Sequence, residues 1–484
     1  MRSVRSCVLA VVVGVLVLAA PAAAHENEMG ANWLMSAHHA GWYKPSPESR
    51  TGNMQMVGSV ARTKALSTYR NSDLAFWGRL AYAGHYDGFQ IIDVADPRNP
   101  RPLVDYACPG SQHDVSVWGG RLLFVSVETP RTSPDCDDST AQPSGTPGFE
   151  GMRIFDVSNP RSPELITGVP TDCGSHTHTM VPDYRNDRVL LYVASYTASP
   201  LPPSPTYGNE CARFDAMGQR AHNKISVVEV PLDNPADAKV VSEPRFPQND
   251  RNGVPGYLGC HDITVFMPIK RAAAACMDEG QIWDISDPEN PRTIARIHNP
   301  NVEFFHSATW SVDGERVVFG DEAGGGTGPR CRTEDPDTLG ALWFYDADGL
   351  DTMDGTTVEP WRDHWKVPRI QENDLAASEQ PNCTMHNFNV LPTKKRDVLV
   401  SSAYAAGTTI LDFTDASDVQ EIGHLDPHGA NTWSSYWYNG HIYTNDGGRG
   451  VDIIAVDDRA ADKAKREAHS NPQTQEFLDR SAAR

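Results

Sequence analysis

The sequence predicts an all-β chain, a seven-bladed β-propeller closed by an N-terminal strand that completes the last blade. Three recurring strings carry that expectation. The first opens on a histidine with mostly apolar residues two and four positions on: QHDVSVW at His113, SHTHTMV at His176, CHDITVF at His261, FHSATW at His306 and MHNFNVL at His386. A strand repeats every two residues, so each histidine starts one face. The second string is an apolar strand-like run with seven copies: RLAYAG, RLLFVSVE, VLLYVASY, AAAACMDE, RVVFGDE, DVLVSS and HIYTND. The third also recurs seven times, with apolar residues around an acid and then a turn: QIIDVADPRNP, RIFDVSNPRSP, SVVEVPLDNP, QIWDISDPENP, WFYDADG, TILDFTDASD and DIIAVDD. Proline in the turn fixes φ and removes a donor, so each copy is a strand halted by a tight turn.

Taken in chain order, most units leave room for a fourth strand, in PRPLVDYA, PELITGV, ARI and VQEIGHL. A four-stranded unit cannot bury both faces alone, whereas seven set radially bury them against neighbours. Unit spacing is uneven, 63 residues from His113 to His176 but 45 from His261 to His306, and the excess falls in loops rich in Pro, Gly and Cys. The last unit, from Trp433 to Val456, stops after its third strand. Residues Asn53 to Val60 form an orphan strand before the first unit, and that strand is expected to complete the last blade. The expected organisation is a signal peptide over 1–24, a segment packed on the propeller over 25–50, the propeller over 51–457 and a charged tail over 458–484.

The string GFQIIDVADPRNP and its sisters RIFDVSNPRSP and QIWDISDPENP resemble the LVIVD repeat of secreted and cell-surface bacterial propellers, and the resemblance covers nearly the whole chain that would remain after residue 24. It implies a propeller outside the cytoplasm. The family is largely without assigned chemistry, so no reaction is implied. The fifth and seventh copies depart from the pattern by lacking the Asp-Pro turn.

Compartment and charge agree with that expectation. Arg2 and Arg5 precede an apolar run from Val8 to Ala20 and a small-residue stretch to Ala24, which reads as a secretory signal cleaved near Ala24. The run is shorter than the roughly 20 residues needed to span a membrane, so no membrane span is expected after cleavage. Eight cysteines remain beyond Cys7, an even number. Cys108, Cys173, Cys260 and Cys383 precede repeated histidines, while Cys136, Cys211, Cys276 and Cys331 follow second strands or end them. In a propeller those loops share one face, so the expected pairs are 108 with 136, 173 with 211, 260 with 276 and 331 with 383. Formal net charge is −21, and nucleic acid, which needs a basic face, is excluded as a partner. The 458–484 segment is charged and poor in large apolar residues, which predicts an exposed helix or a disordered tail.

The histidines carry the chemistry. First strands line a propeller's central channel, so His113, His176, His261, His306 and His386 should converge at its mouth, with Ser72 and Trp433 as the equivalents in the other two blades. Three or four imidazoles meeting there would hold a transition metal, Cu, Fe or Zn. Acids at second-strand ends, Glu128, Asp278, Glu279, Asp321 and Glu322, are candidates to orient the rings or to ligate. A structural reading stands beside this one: a recurrent histidine can simply hydrogen-bond and stiffen each blade. The residue after each histidine varies among Asp114, Thr177, Asp262, Ser307 and Asn387, which argues against one constant structural partner.

Other motifs are weaker. Ser195 and Ser401 lack a GxSxG context, and GDEAGGGTG from Gly320 lacks the following Lys-Ser/Thr of a phosphate cradle. An N-terminal His25 with His38 or His39 would be a separate copper chelate. Two function classes follow: an extracytoplasmic binding or scaffold propeller with a small-molecule, protein or cell-surface ligand at the histidine-lined mouth, and a metal-dependent oxidoreductase built on the same ring.

Overall fold

A computed structural model describes residues 48–62, 66, 70–137, 148–197, 222–248, 258–325, 332–369 and 382–476. The expected signal peptide, residues 25–47, His25, His38, His39, Cys211, Cys331 and the end of the tail lie outside the described residues. The chain is all-β, and its four-stranded antiparallel sheets follow one another along the sequence.

The first runs Asn71–Trp77, Leu80–His85, Gly88–Asp93 and Arg101–Ala107; the next runs Val115–Trp118, Leu122–Arg131, Phe149–Asp156 and Glu164–Pro170. A third uses Thr177–Asp183, Arg188–Ala194, Ser226–Pro231 and Lys239–Ser242, and a fourth uses Asp262–Phe266, Arg271–Cys276, Glu279–Asp284 and Arg292–His298. Then come Phe305–Trp310, Arg316–Asp321, Leu342–Asp346 and Asp363–Trp365, and after them Phe388–Val390, Val398–Ser402, Thr408–Asp412 and Gln420–Asp426. The last set, Thr432–Tyr438, His441–Asp446 and Gly450–Val456, takes its fourth strand from Met54–Ala61, which pairs antiparallel with Gly450–Val456. Ser49–Arg50 adds to Gln420–Asp426, so the stretch just before the orphan strand also packs on the sheets.

The repeated third string has a local explanation. Asp93, Asp156, Asp284 and Asp412 end their strands by accepting the backbone N–H two residues on, at 3.1, 2.8, 3.0 and 2.9 Å. Three residues later Asp96, Asn159, Asp287 and Asp415 do the same. Two short acids or amides thus build two consecutive side-chain turns, and in the first three of these copies Pro97, Pro160 and Pro288 supply a fixed φ just after the second acid or amide. The fifth copy, which lacks the turn, instead leads into Asp354–Val358, which pairs parallel with Arg292–His298 of the preceding sheet.

Packing explains why middle strands are apolar throughout while fourth strands are mixed. Gly88–Asp93 is buried on both faces, whereas Arg101–Ala107 is largely exposed or half-buried. Each buried cluster lies between consecutive sheets. Ala75, Tyr82 and Ile91 meet Val115, Leu123 and Phe155, for example. One cluster joins Tyr436, Tyr443 and Ile453 of the last sheet to Leu74, Phe76 and Ile92 of the first. First strands touch their successors along the chain, and Thr432–Tyr438 touches Asn71–Trp77.

Two of the expected cysteine pairs are formed, Cys108–Cys136 and Cys260–Cys276. Cys173 and Cys383 are also disulfide-bonded, to partners outside the described residues. No helix among the described residues is long and apolar enough to cross a membrane.

The segment after 458 departs from the expected exposed or disordered tail. Asp458 caps a short helix, Arg459–Lys463, by accepting from Ala460 N, and Ala460 and Ala461 are buried. Ser470, Asn471, Gln473, Thr474 and Gln475 are buried as well. Low apolar content misled the sequence reading here, because these side chains are buried through hydrogen bonds to strand edges and not through apolar area.

Candidate functional site: an imidazole and carboxylate cluster on the channel

His176, His261, His306 and His386 converge. Their ring centroids follow one another at 4.2, 4.0 and 4.3 Å, and His386 continues to Trp433 at 4.6 Å. All four are about 98 % buried or more. The first strands explain this placement: each histidine stands within two residues of a strand start, so successive sheets deliver successive rings to one level of the channel.

The ring nitrogens are oriented by acceptors. His176 Nδ1 hydrogen-bonds Glu128, His261 Nδ1 lies 3.0 Å from the His306 carbonyl, and His386 Nδ1 bonds the Trp433 carbonyl. A carbonyl or a carboxylate can only accept, so each of these Nδ1 atoms carries the hydrogen. In a neutral ring that leaves the lone pair on Nε2. His176 Nε2 and His261 Nε2 are 2.7 Å apart. Two lone pairs at that distance need a proton or a cation between them.

Glu322 closes the group. Its Oε2 lies 3.5 Å from His306 Nε2 and its Oε1 3.5 Å from His386 Nε2. Ligand atoms of His261, His306 and Glu322 all lie within 4.8 Å of one another. Oε2 has no hydrogen-bond partner among the described residues, and burial pushes the carboxyl up to about 8, against the opposing hydrogen bond from Tyr404. The donor set, imidazole nitrogens with one carboxylate oxygen, suits a borderline divalent metal ion. A small cavity lined by His261, His306, His386, Trp433, Asp73 and Asp114 opens beside them. Burial also raises Asp73, with the neighbouring Asp114 charge adding to the effect.

His113 stands apart from the four. Its Nδ1 faces the carbonyls of His85 and Gly88, and a Cβ on Gly110 would come within 2.6 Å of its Nε2, so the ring packs against that loop. Burial, with the Arg153 charge, pushes it down to about 3, so it is neutral. The acids also divide. Glu128 holds His176. Asp321 instead accepts the backbone N–H groups of Glu303, Phe304 and Gly340, bracing loops. Asp278 lies in the turn between Arg271–Cys276 and Glu279–Asp284, and Glu279 pairs with Arg296 at 2.8 Å. Ser72 and Trp433 both line the cavity, as their equivalence predicts.

The varying residue after each histidine has a structural use. Thr177 donates to the His261 carbonyl at 2.7 Å, Ser307 donates to the His386 carbonyl at 3.0 Å, and Asp114 accepts from His178 N at 2.7 Å. Any short polar side chain can reach the next strand, which is why the position varies.

Tyr404 was missed. It occupies the place where other units carry an acid at the end of the second strand, and that substitution was the available signal. Its φ of 44° is left-handed, and two backbone hydrogen bonds with Thr432 hold it there. Its hydroxyl donates to Glu322 Oε1, and its ring lies 4.7 Å from His386.

No family model matches the chain, and no curated protein matches it. Among solved structures it is similar to the WD40 repeats of RRP9, with TM-score 0.50 and 7% identity over 85% of this chain and 100% of that one. It is also similar to the β-propeller domain of Cps50 (Swd1) from Myceliophteria thermophila, with TM-score 0.47 and 10% identity over 85% and 100%. A 6-phosphogluconolactonase-like protein from Bacteroides uniformis gives 0.46 and 12% over 77% and 88%. At such identities the RRP9 likeness speaks to fold alone, and the fold is that of a β-propeller.

Proposed function

We propose that this chain is a secreted seven-bladed β-propeller, closed by Met54–Ala61, that binds a divalent transition metal ion on its channel axis and acts as an extracytoplasmic binding protein. Ring closure is supported by the buried cluster that joins the last sheet to the first. The disulfides and the absence of a spanning helix among the described residues are compatible with an extracytoplasmic location. In this reading His261, His306 and Glu322 hold the ion, with His176 and His386 on either side. The observation that carries it is the convergence of ligand atoms of His261, His306 and Glu322 within 4.8 Å of one another, supported by His176, His261 and His386, whose Nδ1–H groups are tied to acceptor oxygens so that their Nε2 lone pairs are left for an ion. Bound there, a metal ion would polarise a ligand or exchange an electron, according to its identity.

A metal-dependent oxidoreductase is the second reading. The cavity beside the three imidazoles favours it, since a catalytic metal keeps an open coordination position whereas a structural one is closed. Elemental analysis of protein exported through its native route tests both readings. A stoichiometric transition metal is expected, and a metal-free protein that also fails to take up Zn²⁺, Cu²⁺ or Fe²⁺ would overturn them.

A further inference from the structure

We infer that residues 467–476 form a detachable strap that seals the channel at the end opposite the imidazoles. The contacts fall at one level. Val117, Met180, Val265 and Trp310 each lie four positions after a repeated histidine, about 13 Å along a strand at roughly 3.3 Å per residue. All four are bonded by the strap.

Asn471 closes a two-bond clamp on Val117: Val117 N–H donates to Oδ1 at 2.7 Å, and Nδ2 donates to the Val117 carbonyl at 3.1 Å. Gln475 repeats the clamp on Trp310 at 2.9 and 3.0 Å. Between them Val265 N–H donates to the Gln473 carbonyl at 2.8 Å, and the Thr474 hydroxyl donates to the Met180 carbonyl. His469–Ser470 pairs with Phe76–Trp77, and Tyr438 Oη donates to the Ala468 carbonyl at 3.3 Å. Side-chain amides thus imitate a neighbouring strand for two of these edges, while Thr474–Gln475 pairs parallel with Val265–Phe266 as a strand proper and the Thr474 hydroxyl serves the fourth.

The same device occurs elsewhere among the described residues without the strap. Asn389 clamps Trp437, with Trp437 N–H donating at 2.8 Å and Nδ2 donating to the Trp437 carbonyl at 3.3 Å. The strap supplies from outside what Asn389 supplies from an adjacent strand. Its sequence, EAHSNPQTQE, holds no large apolar residue. Hydrogen bonds to strand edges, with the stack of the His469 ring on Trp77 at 4.4 Å, therefore attach it, and it can leave as a unit without opening an apolar core. While attached it leaves the imidazole chamber one mouth; released, it opens a second.

Hydrogen exchange on the full chain tests this, read on peptides covering 113–118, 306–311 and 433–438. In the variant Asn471→Ala/Gln475→Ala the first two peptides should exchange on the order of tenfold faster, because each loses a clamp. The 433–438 peptide keeps Asn389 and should not change. Gln475→Glu serves as a milder second variant: it keeps one acceptor for Trp310 N–H and loses the donor, so it should accelerate 306–311 alone. Unchanged exchange in both variants, or equal acceleration in all three peptides, would overturn the strap.

Discussion

Removing the apolar side chains of the Met54–Ala61 strand should destabilise the whole array of sheets. Met54 is 1 % exposed and packs with Trp437, Ile442 and Ile454, and Val60 packs in a different cluster with Leu74, Phe76 and Ile453. Met→Ala in a core costs about 2–5 kcal/mol, and the two methyl groups lost in Val60→Ala cost about 1.6 kcal/mol at roughly 0.8 each. The sites belong to separate clusters, so the effects add to about 4–7 kcal/mol. Unfolding entropy of about 2.1 cal/mol/K per residue over 484 residues makes 1 kcal/mol worth about 1 °C, so Met54→Ala/Val60→Ala should lower Tm by about 4–7 °C. Calorimetry should show one transition moving as a whole, because the strand joins the two ends of the array. Gln55→Ala, on the exposed side of the same strand, is the control. If the double variant melted like the control, the strand would not be part of the ring.

Three further outcomes follow from named contacts. Replacing Cys260 and Cys276 by Ser should cost about 3 kcal/mol, the chain-entropy value for a loop of roughly 15 residues, read as a lower denaturation midpoint with the slope otherwise unchanged. Tyr404→Phe leaves Glu322 Oε1 without its donor and should weaken metal binding about 10–100-fold at nearly unchanged Tm, measured by competition with a chelator. In metal-free protein, burial raises Asp321 to about 7, Asp397 to about 7 and Glu467 to about 8, so these groups hold protons in the folded state that the unfolded state has released. Stability is therefore lost as pH rises through those values. His113, pushed down to about 3, is neutral in both states above about pH 6.5 and does not offset the loss. Tm should fall between about pH 6.5 and 8.5, and a rise over that range would contradict the assignment.

Much of the fold was legible because its strings repeat. The Asp-x-Ser/Ala-Asp/Asn-Pro turn is built by local side-chain bonds from Asp93 and Asp96 and their equivalents, so sequence spacing alone reports it. The orphan strand could be read because the last unit lacked one. The Cys108–Cys136 and Cys260–Cys276 pairs followed from loop placement. What stayed hidden depends on contacts between distant segments. His113 matches the other histidines in pattern, yet its ring turns to the loop at Gly110. Asp321 and Glu322 are adjacent, but the first braces loops while the second meets imidazoles, a distinction set by the strand pleat at the end of Arg316–Asp321. Polar residues 470–475 resemble a solvated tail until the strand edges they satisfy are in view.

Metal content of the wild type and of His261→Ala, His306→Ala and Glu322→Gln, measured with Tm on the same samples, tests the central claim most directly. The account predicts about one transition-metal ion per chain in the wild type, lost in each variant while the blades stay folded. Affinity should also fall as protons compete for the imidazoles near pH 6.5. A wild type that takes up no metal, or variants that keep their metal and lose only stability, would contradict it and leave the histidines a structural role.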